Sequence, residues 1–150
     1  MKSFSVLTAT FAVSLLALSA WSCAQAPSQT LEFDEVTIEM GGKAYQLEYA
    51  NTQEQRAMGL MFREQMCADC GMLFKFEPAK QASMWMKNTF IPLDVAFIDR
   101  NGVITDIKPL NPQELKSVGA SKVVTYALEM NRGWFAGHDI HVGDQIIVNP

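Results

Sequence analysis

The sequence predicts one α+β domain that is rich in β-structure, with a mainly antiparallel, barrel-like sheet and one clear short helix. Short apolar runs follow one another closely, whereas a parallel doubly wound sheet would alternate its strands with helices. Asn101-Gly102 lies between two such runs and is a dipeptide typical of tight hairpins. A clear helix signal occurs once, after Thr52. The chain has 150 residues, the length of about one domain.

The first predicted element is a hairpin. Residues 36–40 and 44–50 alternate apolar and polar side chains, which is the period of a half-buried strand. Gly41-Gly42 between them indicates a turn. We therefore expect these two segments to pair.

The helix begins with a capping signal. Thr52-Gln53-Glu54-Gln55 fits a capping box, in which the two end residues satisfy each other's free backbone donors. An apolar stripe then predicts a helix over residues 53–65. Because Arg56 and Arg63 are seven residues apart, this helix would place both on one face.

The later elements follow from apolar runs and turn signals. The expected strands cover residues 72–76, 83–87, 95–99, 103–108, 124–130 and 145–148, and a short helical turn is expected over residues 134–138. The 95–99 and 103–108 strands flank Asn101-Gly102 and form the second predicted hairpin.

Residues 1–22 have the character of an export signal. Lys2 is their one charged residue, and the apolar stretch that follows ends in small residues. The stretch is shorter than the roughly 20 apolar residues of a membrane span. We expect an exported, periplasmic protein.

The end of this signal resembles a lipobox. In Ala20-Trp21-Ser22-Cys23 the cysteine would be lipidated and become the new N-terminus, which predicts a membrane-tethered lipoprotein. Cleavage after Ala24 and an uncleaved anchor are the alternatives. The predicted organisation is a signal peptide over residues 1–22, a tether over 23–35 and a folded domain over 36–150. The membrane is then contacted only through the N-terminal segment.

The charge of the chain argues against nucleic acid as a partner. The formal net charge is −4, the pI is about 5.1, and no basic run is present. Proteins that bind nucleic acid usually present a basic face to the phosphates.

Cys67 and Cys70 are the sharpest local feature. In an exported protein two close cysteines usually oxidise, so we predict a structural disulfide. A redox-active pair and a metal site are alternatives. The redox alternative lacks the usual context, because this pair follows a helix rather than beginning one. His138 and His141 are too distant in sequence from the pair for a finger-type zinc site, so we assign no metal ligands and no cofactor.

Methionines suggest a second hypothesis. Met58 and Met61 lie on the predicted helix, and Met84 and Met86 lie on one face of a predicted strand, around Trp85. Thioethers are soft ligands that select Cu(I), so a periplasmic Cu(I)-binding protein is an alternative. Filling of gaps in the core is the simpler interpretation.

Lys87 with Asp94 or Asp99 suggests a third hypothesis. A lysine and a carboxylate that lie close together shift each other's pKa, so an enzyme that uses these residues is a further alternative. An ion-pair and turn-capping network explains the same residues, and we favour a protein that is not an enzyme.

Three segments carry a resemblance to a known family. They are Glu54-x-Arg56-x-x-Gly59-Leu60-Met61-x-Arg63, Gly71-Met72-Leu73-Phe74-x-Phe76 and Trp85-Met86-Lys87-Asn88-Thr89-x-Ile91-Pro92-Leu93-Asp94-x-x-Phe97-Ile98-Asp99. Together they resemble the domain-of-unknown-function 192 family, DUF192, over about residues 36–148. The resemblance implies a compact, β-rich domain with a short helix, often exported or membrane-attached. It implies no established reaction, substrate or cofactor.

The resemblance also defines a candidate ligand-binding set. Its members are Glu54, Arg56, Arg63, Trp85, Lys87, Asn88, Thr89 and Asp94. Arginine forks and a lysine bind carboxylate or phosphate, so we predict an envelope accessory domain that binds a small anionic ligand or a protein partner. The alternative is a buried salt-bridge network that holds the helix on the sheet without any ligand.

Overall fold

Alternating apolar and polar residues produce the strands of this protein, and turn residues separate them. The computed structural model describes residues 31–149, so the predicted signal peptide, Cys23 and most of the tether lie outside the described residues. Within that part the elements are β1 (Asp34–Met40), β2 (Lys43–Ala50), α1 (Gln53–Met58), β3 (Gly71–Lys80), β4 (Ser83–Met84), β5 (Leu93–Ile98), β6 (Ile104–Leu110), β7 (Val118–Gly119), β8 (Val124–Asn131), α2 (Trp134–Gly137) and β9 (Ile147–Asn149). The predicted β-rich α+β domain is confirmed.

Seven strands form one mixed sheet in the order β6-β5-β8-β3-β2-β1-β9, and β4 and β7 form a separate ribbon. All pairings in the large sheet are antiparallel except that of β2 with β3. The sheet is not closed into a barrel, contrary to the barrel-like part of our expectation. The edge strands β6 and β9 do not pair with each other. The segments beside these edges are joined by the isolated bridge from Val103 to Gln145 and by backbone hydrogen bonds between Ile104 and residues 143–144.

Both predicted hairpins are present. β1 pairs with β2 around Gly41 and Gly42, whose φ angles of 57° and 75° are the positive values that a tight hairpin turn requires. β5 pairs with β6 across the Asn101-Gly102 turn. There the Asp99 carboxylate accepts the backbone N–H groups of Asn101 at 2.8 Å and of Val103 at 3.0 Å, so Asp99 caps the turn.

The helix begins as predicted but ends early. Thr52 and Gln55 form the capping box, with each side chain accepting the other's backbone N–H at 3.2 and 3.0 Å. The prediction of a helix to residue 65 was wrong, since α1 ends at Met58 and Gly59 follows with a φ of 50°. As a result, Arg56 and Arg63 do not share a helix face.

Other element boundaries also shifted. The strand expected over residues 72–76 extends to Lys80, whereas the one expected over residues 83–87 is limited to Ser83–Met84. The reason for the short strand is that the chain after Met84 bonds to a loop, with Met86 N–H donating to Glu114 O at 3.0 Å. The helical turn near residue 134 is present as α2. Among residues 31–149 no helix is long and apolar enough to span a membrane.

The core lies on both faces of the large sheet. One apolar cluster includes Phe74, Val95 and Phe97, and the other includes Ile98, Leu128 and Phe135. β8 pairs with β3 on one side and with β5 on the other, so it is the central strand between them. Successive side chains of a strand point to opposite faces, and consequently residues 127–130 are all buried.

Asp106 joins β6 to the segment that precedes β8. Its carboxylate accepts the Ser121 backbone N–H at 3.0 Å and hydroxyl at 2.9 Å, and it lies 3.0 Å from Lys108 Nζ. Burial by itself would raise the pKa of Asp106, but the hydrogen bonds from Ser121 and Lys108 outweigh it and lower the pKa to about 2.

We expect Asp106→Asn to lower the free energy of unfolding near neutral pH by about 1–3 kcal/mol, because the amide leaves hydrogen-bond donors unsatisfied. Since the folded-state pKa is depressed from 3.8 to about 2, the carboxylate stabilises the fold above pH 3.8 and loses this effect as the pH falls through 2. Urea unfolding measured across this range checks both statements. Asp139→Asn is the control, because its side chain is 99% exposed. An equal loss of stability in the control would contradict the prediction.

Candidate functional site

Two adjoining cavities lie between α1 and the segment that begins at β4. The outer cleft has a volume of about 370 Å³ and is lined by Arg56, Phe76, Lys80 and Trp85, among others. The inner cavity has a volume of about 20 Å³ and is lined by Arg56, Met58, Met61, Met84, Thr89 and Glu129, among others. The two cavities share Arg56, Ala57, Phe74, Met84 and Trp85, so one continues into the other.

Backbone hydrogen bonds fix the wall of the cleft that carries Trp85. Met84 pairs with Val118 in the β4–β7 ribbon. Beyond Trp85 the chain turns, with Thr89 N–H donating to Met86 O at 3.1 Å. Thr89 O in turn accepts the N–H of Gln113 at 3.0 Å. The ribbon and the turn therefore hold Trp85 between them.

The outer cleft is electropositive. Its charged lining residues are Arg56 and Lys80, and no acidic side chain is among them. Trp85 is 47% exposed, and Lys87 Nζ lies 5.4 Å from the centre of its indole ring. Lys80 Nζ lies 5.1 Å from the centre of the Phe76 ring. Cationic groups thus surround an aromatic surface, an arrangement that suits an anion with an apolar part.

Glu129 projects from β8 into the inner cavity. On the adjacent strands it lies opposite Met72 and Val95, and it is 4% exposed. Burial raises the pKa of Glu129 to about 8, and no hydrogen bond or ion pair with a described residue opposes that effect. A carboxyl group that is buried, uncompensated and in contact with a cavity is a functional-site candidate.

Sequence reasoning missed Glu129. Apolar residues at 124, 126, 128 and 130 indicate one face of this strand, and residue 129 lies on the opposite face. The available signal was a single carboxylate within Ala127-Leu128-Glu129-Met130. Recognising it required knowing that β8 is covered on both faces.

Part of the predicted set does meet at the cavities. Arg56, Trp85 and Thr89 line the inner cavity, and Lys87 lies over the Trp85 ring. Asn88 is close by, with its Nδ2 4.0 Å from Met61 Sδ. Asn88 also has a φ of 55°, a conformation that asparagine tolerates better than most residues. The backbone of the turn is therefore a sufficient reason for an asparagine at this position.

Glu54, Arg63 and Asp94 do not line either cavity. Glu54 is exposed in the first turn of α1, where a negative charge favours the helix. Arg63 pairs with Glu48 at 2.7 Å and lines a different cavity, beside Cys67 and Cys70. The early end of α1 is the reason for this separation.

Asp94 belongs to a network that joins three strands. It lies 3.0 Å from Arg132 Nε and accepts the backbone N–H of Gly133 at 2.7 Å. Arg132 also donates to Leu93 O at 2.9 Å and to Leu110 O at 2.8 Å. Asp94 and Arg132 thus hold the ends of β5, β6 and β8 together, and neither Asp94 nor Asp99 forms an ion pair with Lys87 in the described residues.

Cys67 and Cys70 form a disulfide next to α2, away from the cleft. Asp69, between them, accepts the indole N–H of Trp134 at 2.8 Å, and Asn131 Nδ2 donates to Cys67 O at 2.8 Å. The bridged loop is therefore attached to β8 and α2. Within residues 31–149 no three His, Cys, Asp or Glu side chains cluster as candidate metal ligands.

Comparison with known proteins places this fold and motif set in one family. The sequence model of DUF192, described as Uncharacterized ACR, matches residues 36–148. The chain therefore belongs to the DUF192 family, as its motifs indicated. No curated protein matches the chain.

Two solved structures are similar. One is from Sinorhizobium meliloti 1021 and is described as a candidate transcription regulator. It shares 32% identity and a TM-score of 0.75, covering 79% of this chain and 97% of its own. The other is a protein of unknown function from Novosphingobium aromaticivorans DSM 12444, with 30% identity and a TM-score of 0.71, covering 91% of this chain and 99% of its own. Neither comparison establishes a ligand or a reaction.

We expect Glu129→Gln to leave the melting temperature unchanged at acidic pH and to raise it at alkaline pH. The folded-state pKa of about 8 exceeds the ordinary value of 4.5, so the unfolded chain loses this proton first. The wild-type fold is therefore destabilised progressively as the pH rises from 4.5 to about 8. Thermal melts of both proteins across that range measure the difference. Glu54→Gln is the matched control at an exposed position, and a similar gain there would contradict the prediction.

Proposed function

We propose that the outer cleft binds a small anionic ligand. The observation that carries this proposal is the charge of the lining, since Arg56 and Lys80 are its charged residues in a protein of net charge −4. A cleft lined by one sign of charge focuses its field and raises the local concentration of counter-ions, which here are anions. Lys87, at the rim over Trp85, adds a third positive charge.

The shape of the cleft narrows the class of ligand. A volume of about 370 Å³ is within the usual range of pockets for small molecules. Arg56 uses one guanidinium nitrogen to donate to Asn51 O at 2.7 Å, which leaves its other donors for a carboxylate or phosphate. Trp85 and Phe76 supply apolar surface. We therefore propose a small organic carboxylate or phosphate ester.

A protein partner is the second candidate for the same surface. Phe62, Trp85 and Phe90 are 60%, 47% and 44% exposed. Phe62 N–H donates to Asn88 O at 2.8 Å, so Phe62 lies next to the segment that carries the other two aromatic residues. Exposed aromatic residues in one region are typical of interaction surfaces. We do not propose nucleic acid, because the acidic charge opposes binding to phosphate backbones.

The cellular location that we propose is the cell envelope. It is supported by the sequence of residues 1–22 and by the lipobox that ends at Cys23. A ligand or partner would then be met outside the cytoplasm, at the membrane surface.

Substitution of both cleft cations tests the proposed ligand class. We expect Arg56→Gln with Lys80→Gln to weaken binding of inorganic phosphate, the simplest probe, by at least about tenfold, because charge-assisted hydrogen bonds contribute ~1.5–3 kcal/mol each. Chemical shifts of backbone amides during a phosphate titration report both the affinity and the place of binding. Arg63→Gln is the control, since it removes an arginine outside the cleft. Equal weakening by Arg63→Gln, or shifts that avoid the cleft, would contradict the proposal.

Lipidation at Cys23 has a separate test. We expect Cys23→Ala to move the protein from the membrane fraction to the soluble fraction, because an anchored acyl chain is removed. Fractionation of the native host followed by mass spectrometry of the N-terminus measures this. Continued membrane attachment of the variant would count against the lipoprotein proposal.

A further inference from the structure

The inner cavity is too small for the ligand proposed for the outer cleft. Its volume of about 20 Å³ accommodates one water molecule or one monatomic ion. Glu129 also lines this cavity, and its side chain is buried and forms no hydrogen bond or ion pair with a described residue. A cation in the cavity would give that carboxylate a partner.

Three methionine side chains, whose sulfur atoms are soft ligands, also line the inner cavity. Met58, Met61 and Met84 all contribute to its lining, from α1, the chain after it and β4. Met84 is 9% exposed, whereas Met58, at 37%, lies toward solvent. Met86 packs in the apolar cluster and does not line the cavity, so three of the four methionines that the sequence suggested meet there.

We propose that the inner cavity is a Cu(I) site, with methionine sulfurs as neutral ligands and the Glu129 carboxylate as the anionic one. Thioethers prefer Cu(I) to the hard cations Mg²⁺ and Ca²⁺, which take oxygen ligands. Glu129 and Arg56 are the charged residues of the lining. The guanidinium repels cations, and this disfavours a divalent ion more strongly than a monovalent one.

The metal enters and leaves this site as Cu(I), so no electron is transferred. This site is distinct from the proposed anion cleft, because Lys80 lines the cleft and not the inner cavity.

The test is competition for Cu(I) between the full-length chain and bicinchoninate, with ascorbate present. All samples carry Cys23→Ser, because a free thiol would bind Cu(I) independently. We expect one equivalent bound, with about tenfold or greater weakening in Met61→Leu and in Met84→Leu. Met66→Leu, outside the inner cavity, is the matched control and should bind as the parent does. Thermal melts identify any variant that fails to fold. If one of the two methionine variants does not fold, the Cu(I) affinity of the other one tests the proposal.

Two further variants separate this site from its alternatives. Glu129→Gln should bind Cu(I) more weakly than the parent does. Lys80→Gln should weaken phosphate binding and leave Cu(I) binding unchanged. Absence of competition by the parent, equal weakening by Met66→Leu, or unchanged Cu(I) binding in Glu129→Gln would overturn the proposal. Water alone would then occupy the cavity.

Discussion

Burial of both faces of the central strand β8 is the constraint on which this domain depends. β8 is paired along both edges and covered by a separate apolar cluster on each face, so its residues 127–130 are buried. An ionisable group in such a position must be compensated, remain neutral or destabilise the fold. Among residues 31–149 no partner compensates Glu129, and its raised pKa keeps it neutral at moderate pH. Natural sequences retain such a conflict mainly at sites that have a function.

The segment from Trp85 to Asp94 combines two roles that its sequence does not distinguish. Its first part provides Trp85, Lys87 and Thr89 to the cavities or their rim. Its last residue, Asp94, binds Arg132 and fixes three strand ends instead. A motif that is compact in sequence is thus divided between positions that line the cavities and positions that join strands. Charge and spacing along the chain do not distinguish the two kinds of position.

The sequence correctly predicted the structural features that depend on neighbouring residues along the chain. The capping box at Thr52, the Gly41-Gly42 hairpin and the Asn101-Gly102 hairpin are all present, because each depends on residues within one or two turns of chain. The predicted length of α1 was wrong. The apolar stripe in the sequence continues past Gly59, but the positive φ of Gly59 ends the helix. Apolar residues after a helix can pack in the core without being helical. Arg63 therefore lies away from Arg56 and lines a different cavity.

The sequence by itself determined the fold class, both hairpins, the start of the helix and the family, because these follow from periodicity, turn chemistry and motifs along the chain. Only the tertiary structure decided which residues share a cavity. Arg56, Trp85 and Glu129 are far apart in sequence and belong to different elements, and they meet because β3, β4, β8 and α1 pack around one apolar cluster. Packing between distant elements also turned Glu129 inward. A two-residue alternation shows that side chains alternate between faces, but only the neighbours in space decide whether each face is buried.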